Sequence, residues 1–118
     1  MENRTLTITV QADWKNALRA AAQSAQAPSY QGETLNFETP ELFLGKLTTR
    51  RWTLLRLTLG LGEISVRELA RRSGRDVKRV HEDITVLAEL GLVERTASGG
   101  VYCPFSDIHV DLHLRQVS

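Results

Sequence analysis

The chain has 118 residues, 42% hydrophobic and 25% charged, with a net charge of +1; that composition describes one globular domain with room for a small appendage, not a disordered chain. No apolar run approaches the roughly 18–20 residues that a membrane span needs, so no transmembrane helix is expected, and "MENRTLTITV" lacks the charged-then-apolar pattern of an export signal. A single cysteine, Cys103, excludes an internal disulfide framework and fits a reducing, cytoplasmic location.

The distribution of charge is more informative than its sum. Residues 41–81 hold ten basic and four acidic side chains, against three and four in residues 1–40 and two and three in residues 92–118. Charge focused on one stretch in this way is the footprint expected of an anion-binding surface.

In chain order, "TLTITV" alternates Leu6, Ile8 and Val10 with threonines and predicts a half-buried strand. The alanine-rich segment that follows, with Trp14, Leu18, Ala21 and Ala25 near helical spacing and Pro28 beyond, predicts a helix over residues 13–26. "ETLNFE" predicts a second short strand with Leu35 and Phe37 on one face. Thr39-Pro40 starts a short helix carrying Leu42, Phe43 and Leu47, because the hydroxyl caps it and proline suits the first helical position. Thr48 or Thr49 caps the next helix, "RRWTLLRLTLG", with Trp52, Leu55 and Leu59 as the expected buried stripe and Gly60 and Gly62 as its stop.

"EISVRELARRSG" carries a capping-box spacing at Ser65 and Glu68, an inward Leu69-Ala70 pair and a helix-ending Gly74. Asp76 then caps "VKRVHEDITVLAELG", whose inward row is expected to be Val77, Val80, Ile84 and Leu87, with Gly91 as the stop. "LVERTASGGVYCP" predicts strand, Gly-Gly turn and strand, with its tip at residues 97–100. "DIHVDLHL" predicts a closing strand with Ile108, Val110, Leu112 and Leu114 on one side.

Helix, glycine turn, second helix and β-hairpin is the order of a winged helix-turn-helix. The run from about Pro40 to Pro104, and "VRELARRSGRDVKRVHEDITVLAELGLVER" within it, resembles winged-helix transcriptional regulators of the MarR and ArsR type. The fold class so implied is α+β: a winged helix-turn-helix with an N-terminal strand-helix-strand extension over residues 1–39, the DNA-binding domain and a C-terminal strand filling residues 40–118. In that motif the second helix enters the major groove by its N-terminal residues. By position the base-reading set is Lys78, Arg79, His81 and Glu82, with Arg75 in the turn. Arg79 or Lys78 would pair with guanine, and His81 or Glu82 would tune base choice. Glu82, with Asp83, is alternatively the acidic edge of the footprint. Arg67, Arg71 and Arg72, with Arg75, would meet phosphates. The wing comprises Arg95, Ser98, Gly99 and Gly100, lying along the DNA backbone or forming a plain hairpin turn.

Other chemistry is not expected. His109, Asp111 and His113 alternate along a strand, where positions four apart lie roughly 13 Å from each other, so no metal site is assigned. There is no Ser-His-Asp spacing, phosphate loop or CxxC pair, and neither an enzyme nor a cofactor is expected. The helix-turn-helix implies a homodimer on double-stranded operator DNA, with the short strands outside the motif as the assembly sheet. Over nearly its full length the chain further resembles small prokaryotic MarR-like proteins often encoded beside a toxin. That resemblance implies an autorepressing antitoxin with a cognate toxin partner. The competing expectation is a protein-interaction module that masks a partner and binds DNA little.

Overall fold

The computed structural model describes residues 4–12, 19 and 32–114. Among them are four helices and two three-stranded sheets, a mixture of α and β structure. The helix expected over residues 13–26 lies outside the described residues. The chain divides into two compact units, one of residues 1–45 with 107–118, the other of residues 46–106.

In the first unit, β1 (Thr5–Val10), β2 (Glu33–Phe37) and β6 (Asp107–Asp111) form a sheet ordered β2-β1-β6, and both pairings are parallel. The register places Ile8 between Leu35 and Val110, and Thr9 between Asn36 and Asp111. Because side chains alternate across a strand, Leu6, Ile8, Val10, Leu35, Phe37, Ile108 and Val110 share one face, and the threonines share the other with Asn36, His109 and Asp111. Ile8 and Leu6 are buried. On the polar face Thr9 donates to Asn36 Oδ1 at 2.7 Å. Arg4 grips Glu33 at 2.9 and 2.6 Å.

Helix α1 (Pro40–Lys46) starts as expected, with the Thr39 hydroxyl accepting from the Leu42 N–H at 3.1 Å. Its buried Phe43 meets Phe37 edge to face, with ring centroids 5.6 Å apart. That geometry suits the opposed quadrupoles of two rings.

The second unit holds α2 (Thr49–Thr58), β3 (Ile64–Ser65), α3 (Val66–Ser73), α4 (Val77–Glu89), β4 (Glu94–Arg95) and β5 (Gly100–Tyr102). Its sheet is antiparallel and ordered β3-β5-β4, with Val101 opposite Ile64 on one side and Arg95 on the other. The core gathers Leu54, Leu55, Leu69, Ala70, Val80, Ile84, Leu87, Leu92, Val93 and Val101, all 3% exposed or less. Buried Thr58 is tolerated there because its hydroxyl donates to Leu55 O at 2.8 Å.

Several sequence expectations are corrected. The strand Asp107–Asp111 belongs with the N-terminal strands and not with the unit before it, because its backbone pairs with β1. The break thus falls at residues 45/46 and 106/107 instead of 39/40. Leu112 and Leu114 lie past the end of that strand and are exposed. In α2 the buried row is Leu54, Leu55 and Thr58, and Trp52 is outside it. In α4 Val80, Ile84 and Leu87 are fully buried, whereas Val77 is 41% exposed. At the first turn of a helix one residue points past the neighbour that the later turns pack against.

Candidate functional site

Local chemistry sets the two helices of the basic stretch. Ser65 Oγ accepts from the Glu68 N–H at 3.0 Å, which starts α3. Gly74 ends it with φ +67°, and the Gly74 and Arg75 N–H groups close onto Arg71 O and Ala70 O at 3.2 and 3.0 Å. An L-side chain rarely adopts that backbone, so glycine suits the position. Asp76 starts α4 by accepting from the Arg79 N–H at 3.3 Å.

The capping box is only half made. Glu68 does not reach back to Ser65; it accepts instead from Arg71 Nε at 2.7 Å and Arg72 Nε at 3.0 Å. These hydrogen bonds lower its carboxyl from 4.5 to about 2. A folded-state value below the unfolded one means that Glu68 favours the fold fully above pH 4.5, and that this contribution disappears as pH falls toward 2. Urea midpoints measured from pH 7 to pH 2 should therefore drop across that window, and Glu68→Gln should flatten part of the drop.

Arg75 is not on the outer face. Its Nη2 donates to Asp83 Oδ2 at 2.7 Å, while Asp83 Oδ1 accepts from Arg51 Nε at 3.0 Å. Arg51 Nη1 continues to Lys46 O at 3.0 Å. The three side chains are 14–22% exposed and join α2, the turn and α4. Burial pushes Asp83 up, but hydrogen bonds from Arg75 and Arg51 outweigh it and hold the carboxyl below its ordinary value. Arg75 Nη1 is buried without an acceptor among the described residues. The assignment of Arg75 to base reading or phosphate contact is therefore corrected to scaffold, and Asp83 is its anchor instead of a repulsive edge.

The other expected readers are exposed. Lys78, His81 and Glu82 line a shallow groove on α4 with Asp76, Val77 and Thr85. At 3.6 residues per turn, Lys78, His81, Glu82 and Thr85 fall on one strip opposite Val80, Ile84 and Leu87, and Arg79 falls on a flank. No hydrogen bond or ion pair engages the Lys78, Arg79 or Arg67 heads among the described residues.

The hairpin is tied to its surroundings. Arg95 Nη2 donates to Thr85 Oγ1 at 2.7 Å and to His81 Nδ1 at 3.3 Å, and Thr85 Oγ1 donates to His81 O at 3.0 Å. At the tip Glu63 accepts from Thr96 Oγ1 at 3.0 Å and Ser98 Oγ at 2.6 Å. Gly99 turns the chain at φ +88°. A Cβ on Gly100 would meet Glu63 Cγ at 2.8 Å, so the glutamate stem fills the space that glycine leaves. Sequence reasoning missed Arg51, Glu63 and Thr85. Only Thr85 carries a local signal, since it stands four residues after His81 on the same helix face.

Among the described residues no group of three or more His, Cys, Asp or Glu side chains could hold a metal ion. Asp111 and His113 pair at 2.9 Å. No helix among the described residues is long and apolar enough to cross a membrane.

No curated protein and no solved structure matches the chain. The HVO_A0114 family model matches residues 46–110, which take in α2 to α4, the β4–β5 hairpin and most of β6. Covering more than half of the sequence, that match places the chain in the HVO_A0114 family.

Proposed function

We propose that this protein is a sequence-specific DNA-binding transcriptional regulator of winged helix-turn-helix type. In this reading α3 and α4 form the helix-turn-helix, α4 enters the major groove, and the β4–β5 hairpin is the wing. The observation that carries it is the division of the basic side chains. Arg75 is paired with Asp83, while Lys78 and Arg79 stand exposed at the N-terminal end of α4 with no ion-pair partner among the described residues. Two cations left without counter-charge at the groove-entering end of a helix suit phosphate and base edges.

Arg67 would contact phosphate directly. Arg71 and Arg72, paired on the surface with Glu68, can turn outward, since exposed pairs hold their partners weakly. The unit acts as a homodimer on two half-sites of operator DNA, because one helix-turn-helix makes too few contacts for specificity. Autorepression beside a cognate toxin is the regulatory setting suggested by the resemblance of the whole chain to MarR-like antitoxins.

The test is fluorescence anisotropy on the duplex upstream of the gene, at several salt concentrations. Lys78→Ala and Arg79→Ala should each weaken binding by about 1–3 kcal/mol, and a variant that loses a phosphate contact should also lower the salt slope by about one. Unchanged affinity in the double variant would sink the DNA reading. Lost DNA binding with retained capture of the neighbouring gene product would support the regulator and the antitoxin role together.

A further inference from the structure

The link between the hairpin and the outer face of α4 has a consequence for what that face can read. An arginine guanidinium only donates hydrogen bonds and keeps its proton in proteins. Arg95 Nη2 lies 3.3 Å from His81 Nδ1, so Nδ1 is the acceptor and carries no proton. In a neutral imidazole the remaining proton is then on Nε2, because the bond made by one ring nitrogen sets the state of the other. His81 is exposed and lines the α4 groove, and Nε2 has no partner among the described residues.

We infer that Arg95 and Thr85 hold His81 as an Nε2–H donor aimed at an acceptor on a base edge in the major groove, which cytosine does not offer. This rests on the DNA-binding reading given above. Guanine offers N7 and O6, adenine offers N7 and thymine offers O4, whereas cytosine presents only its N4 donor, which an N–H cannot satisfy. His81 is the base-reading group and Arg95 its positioning residue. Thr85 completes the arrangement, since its hydroxyl accepts from Arg95 at 2.7 Å while donating to His81 O at 3.0 Å. The hairpin thereby sets the chemistry of the reading helix without itself touching a base. Glu82, the acceptor beside His81 on the same strip, is left to select a cytosine N4 donor.

Two measurements test this on the full chain. The first is the nitrogen NMR spectrum of His81 at neutral pH without DNA. It should show a protonated Nε2 and an unprotonated, hydrogen-bonded Nδ1, with both signals moving toward free-imidazole values in Arg95→Ala and Thr85→Val. A proton on Nδ1 would overturn the assignment. The second is selection from a pool of random duplexes. Wild type should deplete cytosine at one position of each half-site, and His81→Ala should reduce that bias about three- to tenfold while leaving the other positions and the salt slope unaltered. Thr85→Val should reduce it partly, again at constant salt slope, which a contact with phosphate would not do. A bias against cytosine that survives His81→Ala overturns the inference alone. Failure of wild type to enrich any sequence overturns the DNA reading and this inference with it, and the NMR arm still reports whether Arg95 sets the tautomer.

Discussion

Asp83→Ala should lower the unfolding free energy by about 3 kcal/mol, read as a shift of the urea midpoint at pH 7. The carboxylate is 14% exposed and accepts from both Arg51 and Arg75. Removing it leaves two half-buried arginine side chains without that counter-charge, beside an Arg75 Nη1 that already has no acceptor among the described residues. Breaking one partner of a buried pair costs more than the pair contributes, because the stranded charge cannot recover its water. Asp83→Asn should cost less, since an amide oxygen still accepts from one arginine. Replacing all three together, as Arg51→Met, Arg75→Met and Asp83→Leu, should restore most of the loss, because a packed apolar trio needs no hydrogen bonds. A loss below about 1 kcal/mol in Asp83→Ala would place the cluster among solvated surface pairs.

Ile84→Ala should cost about 3–4 kcal/mol in the same measurement. Ile84 is fully buried, with Val80 and Leu87 before and after it on the inner face of α4. Truncation loses the transfer free energy of the removed carbons and opens a cavity that the fixed helices close only in part. Val77→Ala, at a position 41% exposed, should change stability by less than about 0.5 kcal/mol. A similar loss at both positions would mean that α4 packs by a different face. Since the proposed reading face stands opposite this row, the DNA binding proposed for it should weaken in Ile84→Ala only as far as the folded state is depopulated.

What was legible in the sequence was what neighbouring residues decide. The caps at Thr39, Thr48, Ser65 and Asp76 are side chains serving backbone groups three residues away, and each stands where its residue type placed it. The same holds for Gly74 and for the inward spacing of Val80, Ile84 and Leu87. Alternation in "TLTITV" gave the buried face of β1, and the three strands outside the basic segment were expected in one sheet, but no local pattern gave their order or the parallel register with Asp107–Asp111. Arg75 was misplaced for the same reason. Its partner Asp83 is held in common with Arg51, thirty-two residues earlier, and no helical period reports such a meeting. Trp52 shows the converse limit: a large aromatic at plausible spacing reads as core, yet the helix turns Leu54, Leu55 and Thr58 inward instead. For the candidate site, Lys78, Arg79, His81 and Glu82 were legible as an outer face, whereas the bond from Arg95 to His81 joins positions fourteen apart and depends on the hairpin's fold.

The pairing of β1 with β6 also bears on how the protein is made. Residues 46–106 form a compact unit interrupting the chain of the other, and its contacts are complete once Ser106 has left the ribosome. β1 emerges far earlier and then keeps one edge open until Asp107–Asp111 follows, a delay of roughly 5–20 s at ordinary translation rates. During that interval an alternating strand with Leu6, Ile8 and Val10 on one side offers unpaired backbone to any neighbouring chain. Nascent molecules on one messenger are therefore most exposed to mispairing at β1, and a holdase that covers extended apolar segments would act there first.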